Sequence, residues 1–138
     1  MSETTTHSEE ETADVARALA ATLAPGAILL ISGPLGAGKT AFVRGLAAGL
    51  GIDPEDVSSP TFTLVHEYRR GRLVLYHADL YRLGQTAMED LGLEERRVAD
   101  GVIAIEWPDR LTHRLEGAIG VELTTTGEST RRISVGGR

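Results

Sequence analysis

Gly33-Pro34-Leu35-Gly36-Ala37-Gly38-Lys39-Thr40 fits G-x-x-x-x-G-K-[ST], the pattern of a loop that cradles nucleoside-triphosphate phosphates. That pattern only works between a buried strand and a helix, and both are legible around it. Ala27-Ile28-Leu29-Leu30-Ile31-Ser32 is a short, nearly continuous apolar run and reads as a buried strand. After Lys39, the residues Phe42, Val43, Leu46, Ala47 and Leu50 fall on one helical face, and Gly51 suits the position just past a helix end. Lys39 is the one lysine among fourteen lysines and arginines. A compact ammonium on a flexible stem reaches between phosphates where the planar arginine fork fits poorly.

The remainder of the chain adds elements to this strand–loop–helix unit. Residues 1–7 read as a flexible tail and 8–138 as a single domain. Ser8 followed by Glu11 forms a capping box. Val15, Leu19 and Leu23 recur at helical spacing before Pro25-Gly26 stops the helix. Two prolines mark residues 53–60 as a loop. Residues 61–69 and 72–77 read as strands of a hairpin turning at Arg70-Gly71. Short helical turns, broken near Gly92, are expected over 86–98. Val102-Ile103-Ala104-Ile105 is a further buried strand ending in Glu106-Trp107-Pro108. Residues 118–125 and 131–135 read as two last strands joined through Gly127-Glu128-Ser129. This order implies an α/β, P-loop NTPase fold in one domain, with a mixed sheet, added hairpins and flanking helices.

In such a loop glycines let backbone N–H groups converge on phosphate oxygens, and the positive end of the following helix points at them. Lys39 is expected to bridge phosphates and Thr40 to place its hydroxyl on Mg²⁺. Such a site also needs a carboxylate at the end of an apolar strand. Glu106 and Asp79 both qualify, since each follows an apolar run. Ser59-Pro60-Thr61-Phe62-Thr63 is placed either to fold over a γ-phosphate or simply to turn into a strand. Taken alone, Trp107 reads as a packing residue, His77 as a core histidine and Arg69-Arg70-Gly71-Arg72 as a solvated hairpin tip. His7, His66 and His113 show no metal-ligand spacing.

Composition removes several classes. There is no cysteine, so thiolate metal sites and a cysteine nucleophile are out. No apolar run approaches about 18 residues, and the polar, acidic first residues do not resemble a secretory or transit signal. A cytoplasmic protein with no membrane segment is expected. A net charge of −6 argues against a broad nucleic-acid surface, although a partner is free to hold nucleic acid. The chain contains no asparagine, no second lysine and no Asp-x-x-Gly. The usual Asn-Lys-x-Asp guanine reader and GTPase switch are therefore missing, and ATP is favoured. A small-molecule P-loop kinase is the alternative, although no long arginine-rich lid is present.

The motifs together resemble the TsaE (YjeE) family of small bacterial ATPases. The resemblance rests on Leu35-Gly36-Ala37-Gly38-Lys39-Thr40, on Ser59-Pro60-Thr61-Phe62-Thr63-Leu64-Val65 with Tyr68, on His77-Ala78-Asp79-Leu80-Tyr81-Arg82-Leu83 and on Ile105-Glu106-Trp107. It implies an ATPase, slow alone, that works with a TsaD–TsaB complex to make threonylcarbamoyladenosine at position 37 of tRNAs reading codons that start with A. The tRNA would be reached only through the complex, and the free chain is expected to be a monomer. ATP or ADP and Mg²⁺ would be the cofactors. By position, the resemblance makes Lys39, Asp79 and Thr61 the catalytic or switch residues and Thr40 and Glu106 the Mg²⁺ ligands. Gly33, Gly36, Ala37, Gly38, Lys39, Thr40 and Ala41 would surround the phosphates. Glu9 and Thr12 at the first helix, Trp107 and a C-terminal arginine, Arg132, would border the nucleotide. Pro34 departs from the acidic residue common in the family two positions before Gly36.

Overall fold

The computed structural model describes residues 2–58, 65–93, 100–113 and 115–137. Seven strands and two α-helices are formed among them: β1 (Ser2–Thr6), α1 (Glu9–Ala20), β2 (Ile28–Ser32), α2 (Lys39–Gly49), β3 (Val65–Tyr68), β4 (Val74–Asp79), β5 (Gly101–Glu106), β6 (Ile119–Thr125) and β7 (Arg131–Gly137). Short 3₁₀ turns occupy Pro54–Asp56, Met88–Leu91 and Pro108–Arg110.

All seven strands join one sheet in the order β1-β7-β6-β2-β5-β4-β3. The four central strands, β6, β2, β5 and β4, are parallel, and β7, β1 and β3 are added antiparallel at the two sides. This is the mixed sheet that the element order implied. β2 and β5 are apolar almost throughout because both faces are covered. Leu29, Ile31, Val102 and Ala104 point toward α1 and α2. Ile28, Leu30, Ile103 and Ile105 point to the opposite core, made with Leu80, Met88, Leu91, Leu93 and Leu115.

Three expectations change. The tail is not loose: Ser2–Thr6 pairs residue by residue with β7, from Ser2 opposite Val135 to Thr6 opposite Arg131. Thr6 is buried, and its hydroxyl lies 2.8 Å from that of Thr12 in α1. As an edge strand with four of its five residues exposed, β1 carries no in–out alternation to reveal it, only a run of β-branched threonines. The capping box closes on one side only. Ser8 Oγ accepts the Glu11 N–H at 3.0 Å, but the Glu11 carboxylate accepts from the His7 N–H, not from that of Ser8. Its hydrogen bonds to His7 hold the Glu11 carboxyl below the ordinary glutamate range. Finally, Arg72 is no solvated tip. Its guanidinium donates to the Ala20 and Leu23 carbonyls at the end of α1, at 2.6 and 3.3 Å.

The first helix packs through small residues. Thr12, Ala16 and Ala20 are buried, while Val15 and Leu19 sit half-buried at the side. The reason is in α2, where Gly45 and Gly49 let the two backbones approach closely. A Cβ at Gly45 would run into the Ala13 carbonyl, and one at Gly49 would stand 2.6 Å from Ala20 Cβ and 2.7 Å from the Arg17 carbonyl. Ala13 faces Gly45 and Arg17 faces Gly49, so the helices run parallel and their N-termini lie at the same end of the domain.

Gly45→Ala tests this contact. In an exposed helix the change would favour folding by up to about 1 kcal/mol. Here the added methyl meets backbone, and overpacking costs about 1–3 kcal/mol. Thermal unfolding of the variant is expected at lower temperature than the parent. An unchanged or raised midpoint would mean that the helices are not in contact at Gly45.

Candidate functional site

β2 leads through Gly33–Gly38 into α2, and the loop arches over the carboxyl ends of the parallel strands. This is where ligands of open α/β sheets bind. Gly38 caps α2 with φ near 101° and Gly36 has φ near 80°, both left-handed conformations that favour glycine. A side chain at Gly36 would meet nothing within 4 Å, so the loop crest stands open. Below it lies a cleft of about 450 Å³, lined by the start of both helices, the ends of β4 and β5, and the turn between β6 and β7.

Lys39 is largely buried, and its Nζ donates to the Gly33 and Pro34 carbonyls at 2.6 and 2.9 Å. The same ammonium lies 4.4 Å from the centre of the Trp107 ring. Burial pushes its pKa down, against the Glu106 and Asp79 carboxylates, which hold it up. The two carboxylates arrive together because β4 and β5 are parallel and in register, with Asp79 directly opposite Glu106. Asp79 Oδ1 accepts the Tyr81 N–H at 3.0 Å. Burial pushes the Asp79 carboxyl above the ordinary aspartate range; the Tyr81 N–H opposes this and neighbouring Glu106 adds to it. Glu106 is only 2% exposed, yet it reaches the cleft floor. Its Oε2 accepts a 2.6 Å hydrogen bond from His77 Nε2, whose imidazole is wholly buried.

Trp107 is the non-glycine residue with positive φ among the described residues, at 60°. Such a backbone costs of order 1–3 kcal/mol and persists where its surroundings hold it. Here its N–H donates to the Ile31 carbonyl at 3.2 Å, and its ring packs on Tyr81 with centroids 4.8 Å apart. Trp107 therefore packs and lines the cleft at once.

Gly36, Gly38, Lys39, Thr40, Ala41, Glu9, Thr12, Asp79, Glu106 and Trp107 all line this one cleft. Thr61 and the rest of Ser59–Thr63 lie outside the described residues, so the structure says nothing of that segment. Gly33 and Ala37 stand behind the loop. A Cβ on Gly33 would come 2.7 Å from the Leu123 carbonyl, and Ala37 is fully buried in the core under α2. Arg132 is a correction: it turns outward to Glu3, 4.0 Å away, while Arg131 lines the cleft and donates to the Gly36 carbonyl at 3.1 Å. Adjacent residues of a strand face opposite sides, so only one of the pair can reach the loop. Ser8, Arg44, Tyr81, Glu128 and Ser129 also line the cleft. Of these, Glu128 and Ser129 carried only a turn signal, and Arg44 only the polar side of a helix.

The family model for threonylcarbamoyl adenosine biosynthesis protein TsaE matches residues 6–133. The chain belongs to the TsaE family. It is 41% identical over 131 residues to the TsaE protein of Nostoc sp., covering 92% of this chain and 80% of that one. It is 42% identical over 126 residues to that of Bacillus subtilis, covering 91% and 78%. With the TsaE protein of Treponema pallidum it shares 41% identity over 130 residues, covering 93% and 95%. The crystal structure of YdiB from Bacillus subtilis superimposes with a TM-score of 0.77 at 35% identity, over 97% of this chain and 83% of that one. The fold is thus a TsaE-type P-loop fold. Among the described residues no helix is long and apolar enough to cross a membrane.

The raised pKa of Asp79 has a consequence for stability. At neutral pH the carboxylate is charged in both folded and unfolded chains, and the folded chain bears the cost of burying that charge. The cost disappears below the ordinary aspartate range, where the group is neutral in both. Asp79→Asn keeps the acceptor for the Tyr81 N–H and removes the charge. The variant is expected to unfold at a higher temperature than the parent at pH 7, with the gap closing by about pH 3. A variant less stable than the parent at pH 7 would contradict this assignment.

Proposed function

We propose that this chain is a Mg²⁺-dependent ATPase that serves threonylcarbamoylation of adenosine 37 in tRNAs reading codons that begin with A, acting with a TsaD–TsaB-like complex. Membership of the TsaE family supports the pathway. The observation that carries the chemistry is the pairing of Asp79 with Glu106 across β4 and β5, in one cleft with Lys39 and Thr40.

The donors suit magnesium and a polyphosphate. Thr40 and Glu106 offer the hard oxygen ligands that Mg²⁺ prefers, and no group of three His, Cys, Asp or Glu among the described residues forms a self-sufficient metal cage. The ion would therefore be shared with phosphate oxygens, as is usual for Mg²⁺-nucleotide sites. When bound, it supplies neutralisation of phosphate charge. Lys39 and the N–H groups at the start of α2 would bind the phosphates. The parallel packing of α1 on α2 brings the start of a second helix, with Ser8, Glu9 and Thr12, to the same cleft. Arg131, already bonded to Gly36, would ride on the phosphate loop from the far side. Asp79, partly withdrawn from water beside Glu106, would orient an attacking water and take its proton. No asparagine or second lysine exists to read guanine, which supports ATP.

Phosphate release by the isolated chain is expected to be slow and strongly stimulated by reconstituted TsaD–TsaB. Asp79→Ala should keep ATP affinity while lowering turnover by about 10²–10⁴, and Lys39→Ala should lose most of that affinity. Fast hydrolysis indifferent to the partner complex would sink the proposal, and so would label from ATP appearing on a small-molecule acceptor instead of as free phosphate.

A separate binding titration distinguishes the two adjacent arginines. Arg131→Ala is expected to weaken ATP binding, and Arg132→Ala to leave it within about twofold, as surface substitutions usually do. The reverse ranking would show that β7 presents its other face to the nucleotide.

A further inference from the structure

His77 is wholly buried in β4, two residues behind Asp79 and on the same face of the strand. Across the parallel ladder it stands opposite Ala104, two residues behind Glu106 on β5. Alanine leaves the imidazole room to lean along the sheet toward the strand end. There its Nε2 meets Glu106 Oε2 at 2.6 Å, with the imidazole 0% and the Glu106 side chain 3% exposed. A carboxylate only accepts, so the shared proton sits on Nε2. Among the described residues the ring's Nδ1 is buried with no hydrogen-bond partner.

An unpartnered buried nitrogen is a cost that leucine or valine would not incur at this position. The neighbouring β4 positions facing the cores, Leu75, Tyr76 and Ala78, are filled by apolar or aromatic groups with no such deficit. What the imidazole alone provides is a donor to one oxygen of a buried carboxylate, which otherwise needs a partner there. We propose that His77 is a positioning residue whose Nε2–H holds one oxygen of Glu106, so that the carboxylate meets the cleft in a single orientation. The proposal rests on the reading of Glu106 as a Mg²⁺ ligand, and it deepens that reading. Groups that orient metal ligands from behind typically set metal affinity by 10–100-fold when removed.

The experiment is ATP binding by titration calorimetry at a series of Mg²⁺ concentrations, for the full chain, His77→Leu and His77→Gln, with thermal unfolding of each. Leucine fills the space without a donor, and glutamine restores an N–H near the place of Nε2. His77→Leu is expected to raise the Mg²⁺ concentration at half-effect by about tenfold or more and to leave Mg²⁺-free ATP affinity unchanged. His77→Gln should recover most of the loss. Equal Mg²⁺ midpoints in all three would overturn the positioning role. Equal shifts in His77→Leu and His77→Gln would do the same, since they would mark a packing defect. If the parent chain itself shows no response to Mg²⁺, the metal reading of Glu106 falls, and His77 with it. Should His77→Leu fail to fold, long-range ¹H–¹⁵N spectra of the unmodified chain decide the matter. A proton on Nε2 supports the role, and an unprotonated Nε2 overturns it.

Discussion

In-register parallel pairing of β2, β5 and β4 is the constraint from which the rest of the cleft follows. Because Ile31 stands opposite Glu106 and Glu106 opposite Asp79, three strands end in one row. The loop leaving β2 has to arch over that row, and the helix after it has to start there. A slip of one residue in β4 would turn Asp79 to the opposite face and carry His77 away from Glu106. Hydrophobic cores on both faces prevent the slip, since Leu75 belongs to one core and Val74 and Tyr76 to the other.

Around that row, opposed charges sit close together in a partly dry place. Lys39 is held among carbonyl oxygens and an aromatic face, and the two carboxylates beside it limit the cost of its burial. Trp107 occupies a costly backbone conformation directly after Glu106, and its N–H bond to Ile31 ties that conformation to β2. The strain lies next to the group whose direction matters most, which is where folded proteins commonly store it.

Much of this was legible in the chain because it depends on local chemistry. A glycine-rich turn between an apolar run and a helical face has one reading, and a carboxylate at the end of an apolar run has few. What escaped depends on partners distant in sequence. The strand at 2–6 exists because β7 offers it an edge, and nothing in Ser2-Glu3-Thr4-Thr5-Thr6 announces that edge. Arg131 and Arg132 differ only in strand phase, and polar flanks leave the phase unmarked. His77 reads as an ordinary core histidine until Glu106, 29 residues later, is found at hydrogen-bond distance. The leucines of the first helix drew attention from its alanines, which pack inward because glycines wait in the second helix.

That glycine contact also acts as a spacer. The first turns of α1 and α2 both help wall the cleft, and the helices pack most closely farther along, at Gly45 and Gly49. The spacing of the two walls is therefore set in part by residues outside the cleft lining. A single methyl inserted there would pry the walls apart, so the aperture of the cleft is governed by the thinnest residues in the chain.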